Sequence, residues 1–184
     1  MRIIAGTLGG RRFYPPADKW PTRPTTDIAK EGLFNILQNQ LDFSSVKMLD
    51  LFGGTGSHSL EFISRGCQDT TYVDKFGPCV RFISQLTQEL KINDKIQINK
   101  ADVFQFIKNS NSSFDYIFAG PPYPLTNIPD IPDLIFDNNL LDPDGLLVLE
   151  HNPQHNFEGH RNYQSHRNYG TTIFSFFRAN KNNL

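Results

Sequence analysis

Met48-Leu49-Asp50-Leu51-Phe52-Gly53-Gly54-Thr55-Gly56-Ser57-His58-Ser59-Leu60 runs from an apolar segment through three glycines into helix-forming residues. The pattern predicts strand, tight loop, helix. Met48 to Phe52 suit a strand buried on both faces, while the glycines allow positive φ and let a ligand approach the backbone without meeting a Cβ. A Gly-x-Gly spacing does not say which ligand, since it also serves dinucleotide-binding dehydrogenases. The flanking sequence has to choose.

Downstream of residue 46, strand-like and helix-like runs alternate: a helix from about 57 to 65, strand Thr70 to Asp74, a helix from about 78 to 91 and strand Lys95 to Asn99. A short helix over 102–109 and strand Phe114 to Ala119 follow. After Tyr123 the prolines at 124, 129 and 132 loosen the pattern; it resumes with a helix-like Asp133 to Asn138, a turn at Asp142-Pro143-Asp144-Gly145 and a buried strand Gly145 to Glu150. Arg161 to Asn168 and Thr171 to Phe177 read as two strands joined by a hairpin turn at Tyr169-Gly170, and Asn180 to Asn183 as a frayed end. Upstream, a hairpin through Gly9-Gly10 and a proline-punctuated arm to Pro24 lead into a helix of about 26–41, capped by Thr25, Thr26 and Asp27, with Ala29, Leu33, Phe34, Leu37 and Leu41 on one face. Strands alternating with helices predict βαβ units. The expected fold is α/β, a Rossmann-like, seven-stranded, mainly parallel sheet with an antiparallel final strand and helices on both faces, preceded by a small hairpin. Residues 1–25 form a basic hairpin and arm in this reading, and 26–184 a single globular unit.

The chain of 184 residues is long enough to bury roughly two-thirds of its unfolded surface. Its two cysteines, Cys67 and Cys79, are too few for a disulfide framework and read as core thiols in a reducing cytoplasm. The N-terminus lacks a lysine-flanked apolar run and no segment is long and apolar enough for a membrane span, so a soluble, unexported protein is expected. Net charge is −1, which argues against non-specific coating of nucleic acid. The charge is unevenly placed, however: Arg2, Arg11, Arg12, Lys19 and Arg23 face the single acid Asp18 in the arm.

Four features fall at the C-terminal ends of successive strands: the glycine loop after Asp50, Asp74, Asp102, and Gly120-Pro121-Pro122-Tyr123. Ligands of open α/β sheets bind at such ends. An acid after the second strand can accept both hydroxyls of a ribose, Asp102 can accept from an adenine amino group, and Phe52 and Phe76 can flank the ring. Each aspartate alone suits a cap or turn, but recurrence at three strand ends favours one crevice.

These motifs resemble those of class I S-adenosylmethionine-dependent methyltransferases, specifically the amino-methylating group with an (Asp/Asn)-Pro-Pro-Tyr tetrapeptide. Met1-Arg2-Ile3-Ile4-Ala5-Gly6, Arg11-Arg12, Arg23-Pro24-Thr25-Thr26-Asp27 and Leu33-Phe34-Asn35-Ile36-Leu37 are similar to the RsmD family. The likeness covers nearly the whole chain. It implies methylation of the exocyclic N2 of one guanine in bacterial 16S ribosomal RNA, with S-adenosylmethionine as cofactor, the small ribosomal subunit as partner and a cytoplasmic monomer as the acting form. By the same likeness Gly53, Gly54 and Gly56 shape the loop around the methionine moiety, Asp50 orients it, Asp74 holds the ribose, Asp102 the adenine, and Ala119 adds to the cofactor site. Pro121 and Pro122 fix a carbonyl that accepts the amine hydrogens and Tyr123 stacks on the extruded base. The basic arm, with Arg2, Arg11, Arg12, Arg23 and Thr25, grips RNA.

Gly120 departs from the family, which has Asp or Asn there. One charge-assisted hydrogen bond is lost, equivalent to a rate penalty of about tenfold to a few hundredfold if nothing compensates. Restoring the acid by Gly120→Asp is expected to raise turnover. A non-catalytic, cofactor-binding ribosome-assembly factor is the alternative that Gly120 motivates. An amine methyltransferase acting on DNA or on protein glutamine shares the Pro-Pro-Tyr turn, but the former usually carries a target-recognition domain for which this chain has no room. His58 reads as a solvated helix-start residue, and His151, His155, His160 and His166 lack the partner spacing of a metal site, so no metal is expected.

Overall fold

In chain order the elements are α1 (Asp27–Leu37), β1 (Lys47–Leu51), α2 (Ser57–Ser64), β2 (Asp69–Asp74), α3 (Gly77–Glu89), β3 (Ile96–Lys100), α4 (Val103–Asn109), β4 (Phe114–Ala119), α5 (Ile131–Asp137), β5 (Leu141–His151), β6 (Tyr163–Tyr169) and β7 (Thr172–Phe177). The computed structural model describes residues 1–16, 19–21 and 25–179. The strands form one sheet in the order β3-β2-β1-β4-β5-β7-β6. β1 to β5 pair in parallel, and β7 runs antiparallel to both β5 and β6. The expected seven-stranded sheet with an antiparallel final strand is present, and β7 lies inside the sheet with β6 at its edge.

The central strands read as unbroken apolar runs because successive side chains serve opposite faces. On one face Leu49, Leu51, Ile117, Ala119, Leu147 and Leu149 pack against α4 and α5. On the other, Met48, Tyr116, Phe118 and Val148 pack against Leu33, Phe34 and Leu37 of α1 and Phe62 of α2. The N-terminal hairpin closes through Ile3 N–H to Arg11 O at 3.0 Å and Gly10 N–H to Ile3 O at 2.8 Å. It is fastened to the body by the buried Glu61 carboxylate, which accepts from the N–H groups of Ile4 and Ala5 and pairs with Lys30 at 3.6 Å and Arg65 at 3.0 Å. Removing one partner of such a buried set typically costs about 3–5 kcal/mol, so hairpin, α1 and α2 behave as one unit.

Several boundaries differ from the sequence reading. α1 ends at Leu37, where Gln40 and Leu41 N–H both turn back to the Leu37 carbonyl; Leu41 packs on the core from that turn. β1 stops before Phe52, whose φ of 60° is left-handed. α5 starts at Ile131, because Pro132 sits in the first helical turn, where its missing N–H is not needed. Asp142 to Gly145 do not break the chain into turn and strand: they lie within β5 as an irregularity, with Phe114 opposite Leu141 and Tyr116 opposite Leu146. No described helix is long and apolar enough to cross a membrane.

Candidate active site

The loop after β1 is held in place from β2. Gly53 N–H donates to Val73 O at 3.0 Å, and the Tyr72 hydroxyl donates to Gly54 O at 2.8 Å. A Cβ on Gly53 would stand 2.2 Å from the Tyr72 ring, which is fully buried, so the loop can lie against β2 only without a side chain there. Gly54 and Gly56 adopt φ of 53° and 74°, turning the chain into α2.

Three acids then face this loop. Asp74 Oδ2 accepts from Gly54 N–H and its Oδ1 from Phe76 N–H, both at 2.8 Å. Asp50 Oδ2 accepts from the Ser59 hydroxyl at 2.6 Å and from Ser59 N–H at 3.2 Å. Burial pushes the Asp50 carboxyl up to about 7; the Ser59 bonds oppose that shift and the Asp74 charge reinforces it. Asp102 caps α4, Oδ1 accepting from Phe104 N–H at 3.0 Å and Gln105 N–H at 3.3 Å, with Oδ2 4.0 Å from Lys75 Nζ. The cap and the crevice acid are the same residue.

These groups line a crevice of about 670 Å³ at the C-terminal ends of the strands. Asp50, Phe52, Gly53, Gly54, Asp74, Phe76 and Asp102 line it together with Gly120, Pro121, Pro122 and Tyr123. Phe52 packs edge-on to Phe104, and Phe76 edge-on to Trp20. Two expected cofactor residues are not on its wall. Gly56 lies behind the loop, where a Cβ would meet Ile83 at 2.3 Å, and Ala119 is fully buried in the core because the alternation of β4 turns it to the α4–α5 face.

Several wall residues were not expected from sequence. His58 is not a solvated helix-start residue: it is buried, stacked on Phe118 at 3.8 Å, with Nε2 3.0 Å from the Tyr116 hydroxyl. Desolvation, aided by the Lys30 charge, holds its pKa well below the ordinary value, so the ring is neutral at pH 7. Glu150, at the end of β5, is 5 % exposed. The strand-end rule that picks out Asp74 and Asp102 applies equally to it. Thr25, expected to touch RNA, lines the crevice and donates to Glu150 Oε2 at 2.6 Å, and the Tyr123 hydroxyl donates to Glu150 Oε1 at 3.3 Å.

The basic arm is divided. Arg2 pairs with Asp27 at 3.2 Å and Glu31 at 3.6 Å, which ties it to α1, whereas Arg11 and Arg12 are exposed. Arg23 lies outside the described residues, as does the expected frayed end at Asn180 to Asn183.

A family described as "Conserved hypothetical protein 95" matches residues 1–178. The chain belongs to that family. Its resemblance to the RsmD family is carried by relatives such as "Ribosomal RNA small subunit methyltransferase D" of Haemophilus influenzae, 30% identical, with 82% of this chain and 78% of the relative aligned. Among solved structures, "Putative methyltransferase yhhF from Escherichia coli" superimposes with a TM-score of 0.83 over 98% of this chain and 99% of that one, at 23% identity. The Thermus thermophilus "16S rRNA N2 G1207 methyltransferase (RsmC) in complex with AdoMet and Guanosine" matches at TM-score 0.66 and 21% identity, over 86% of this chain and 45% of that one. At these identities the structures share the fold with this family member, a class I methyltransferase fold.

Proposed function

We propose that this chain transfers a methyl group from S-adenosylmethionine to the exocyclic N2 amine of a guanine in bacterial 16S ribosomal RNA, acting as a monomer on the small subunit. The observation that carries the reading is one crevice with the glycine loop and Asp74 at one end and Gly120 to Tyr123 at the other. Its residues fit the cofactor. A volume of about 670 Å³ is in the range of small-molecule sites, and aromatic walls alternate with carboxylates, as a nucleoside joined to a cationic sulfonium and an ammonium requires. The buried Asp50 carboxyl, raised to about 7 with Ser59 donating to it, gains its natural complement when a cation enters.

Bound there, S-adenosylmethionine supplies an electrophilic methyl. This chain's residues do the rest. Asp74 and Asp102 take the ribose and adenine, Asp50 faces the cationic portion, and Phe52 and Phe76 flank the ring. The backbone carbonyls of Gly120 and Pro121 accept hydrogens from the guanine amine, whose lone pair is otherwise delocalised into the ring, while Tyr123 stacks on the base. Arg11 and Arg12, both exposed, contact RNA phosphates.

Gly120 favours a second reading, a factor that binds cofactor and ribosomal RNA without transfer. Labelled methyl transfer to hypomethylated 30S subunits separates the two. Incorporation at a guanine N2 by the wild type supports catalysis; calorimetric cofactor binding without incorporation, in the wild type and in Gly120→Asp alike, supports the factor.

A further inference from the structure

Gly120 lacks a side chain at a strand end where the neighbouring strand carries an acid, Glu150. β4 and β5 run parallel, with Phe118 opposite Val148 and Ala119 opposite Leu149. One step further along each strand are Gly120 and Glu150. Side chains alternate between faces, so position 120 serves the face of Phe118 and position 150 the face of Val148, and those two residues share one core cluster. A Cβ built on Gly120 confirms its side: it falls 3.0 Å from Phe118 Cε1. Strands in a sheet lie about 4.8 Å apart, so a glutamate at 150, longer than an aspartate by one methylene, can extend toward the volume that an acid at 120 would fill.

Glu150 is also held for work at that spot. It is 5 % exposed, it lines the crevice with Gly120, Pro121 and Tyr123, and its two oxygens accept from Thr25 and Tyr123. The donors come from the arm before α1 and from the turn after β4, so the carboxylate is oriented by both segments that frame the substrate end.

We propose that Glu150 is a catalytic residue that replaces the missing acid of the tetrapeptide, accepting a hydrogen of the substrate amine. The inference rests on the amine methyl transfer proposed above. As the methyl–sulfur bond breaks and the methyl–nitrogen bond forms, the sulfonium becomes a neutral thioether, and the proton shed by the methylated nitrogen passes to the Glu150 carboxylate and then to water. The proposal turns Gly120 from a defect into half of an exchange, a side chain deleted on β4 and supplied from β5.

The test uses Glu150→Gln, Gly120→Asp and the double variant, with methyl transfer to hypomethylated 30S subunits, cofactor affinity by calorimetry and thermal unfolding as readouts. Glu150→Gln is expected to lower kcat by about tenfold to a few hundredfold while cofactor affinity holds within about threefold. Gly120→Asp alone adds less than about threefold, because two adjacent carboxylates compete for one proton. In the double variant Gly120→Asp restores transfer. Equal turnover by wild type and Glu150→Gln overturns the proposal. So does a loss in Glu150→Gln that tracks a lower Tm or weaker cofactor binding and that Gly120→Asp does not rescue, since that is the behaviour of a latch between Thr25 and Tyr123. Absence of transfer by the wild type, with cofactor bound, instead refutes the amine methyl transfer on which the proposal rests.

Discussion

The two ends of the crevice are built differently. At the glycine-loop end the contacts that fix the loop and its two buried acids are local to one βαβ stretch: Asp50 to Ser59, Gly54 to Asp74, Tyr72 to Gly54, Phe76 to Asp74. At the Gly120 end the polar groups come from remote parts of the chain, with Thr25 meeting Glu150 across 125 positions and Tyr123 meeting Thr172 across 49. A local arrangement can be encoded in a contiguous motif and tolerates little change. A remote one depends on the sheet register, and an acid lost from one strand can be supplied by its neighbour. Substitutions should therefore separate the ends, with binding failing at the first and turnover at the second.

The largest effect is expected from Asp74→Ala. It removes the acceptor of two backbone N–H groups, Gly54 and Phe76, in a residue only 7 % exposed, as well as the acid proposed to hold the ribose. Hydrogen bonds to a charged group contribute about 1.5–3 kcal/mol each, so cofactor affinity should fall roughly a hundredfold, read by calorimetry, with a lower Tm. If Asp74→Ala instead lowered kcat with affinity intact, the division between the ends would be wrong.

The Asp50 carboxyl gives the next effect, through pH. Its folded value, about 7, lies above the unfolded carboxylate value near 3.8, so the native state holds the proton longer. Its contribution to stability therefore falls as pH rises from about 4 to about 7 and is constant above that. Cofactor binding should run the other way. The charged form attracts a cation, so affinity should rise by about tenfold between pH 6 and pH 8, and Asp50→Asn should flatten the profile.

Tyr72→Phe probes the strap alone. It removes the hydroxyl that donates to Gly54 O at 2.8 Å and leaves a buried carbonyl without that partner, at a cost of about 1 kcal/mol. Cofactor affinity should weaken by about fivefold, with kcat at saturation unchanged.

The same contrast explains what the sequence disclosed. Met48 to Leu60 and the alternation after residue 46 carry their structure in consecutive residues, so strand, loop and helix are legible there, and seven of the nine residues expected at the cofactor line the crevice. Ala119 was misplaced because a motif gives position along a strand but not which face is turned to the ligand; the alternation of β4 settles that. Thr25 and Glu150 were missed as a pair because nothing in a linear sequence brings two residues so far apart together. His58 was misread because the polarity of a histidine hides its packing on Phe118 at 3.8 Å.

The smallest expected effect is the most discriminating at the Gly120 end. Gly120 does not have a positive φ, so an L side chain there meets no left-handed strain, and Gly120→Ala tests space without adding an acceptor. Two terms oppose each other. Alanine restricts the unfolded chain, worth about 0.4–1 kcal/mol, while its Cβ at 3.0 Å from Phe118 forces a ring stacked on His58 to give by a few tenths of an ångström. The net is a Tm shift of no more than about 3 °C in either direction. Turnover should not rise, and Gly120→Ala should not rescue Glu150→Gln, whereas Gly120→Asp should. If alanine rescued as well as aspartate, the gain would come from moving Phe118 and His58 rather than from an acceptor, and the exchange between β4 and β5 would have to be abandoned in favour of packing.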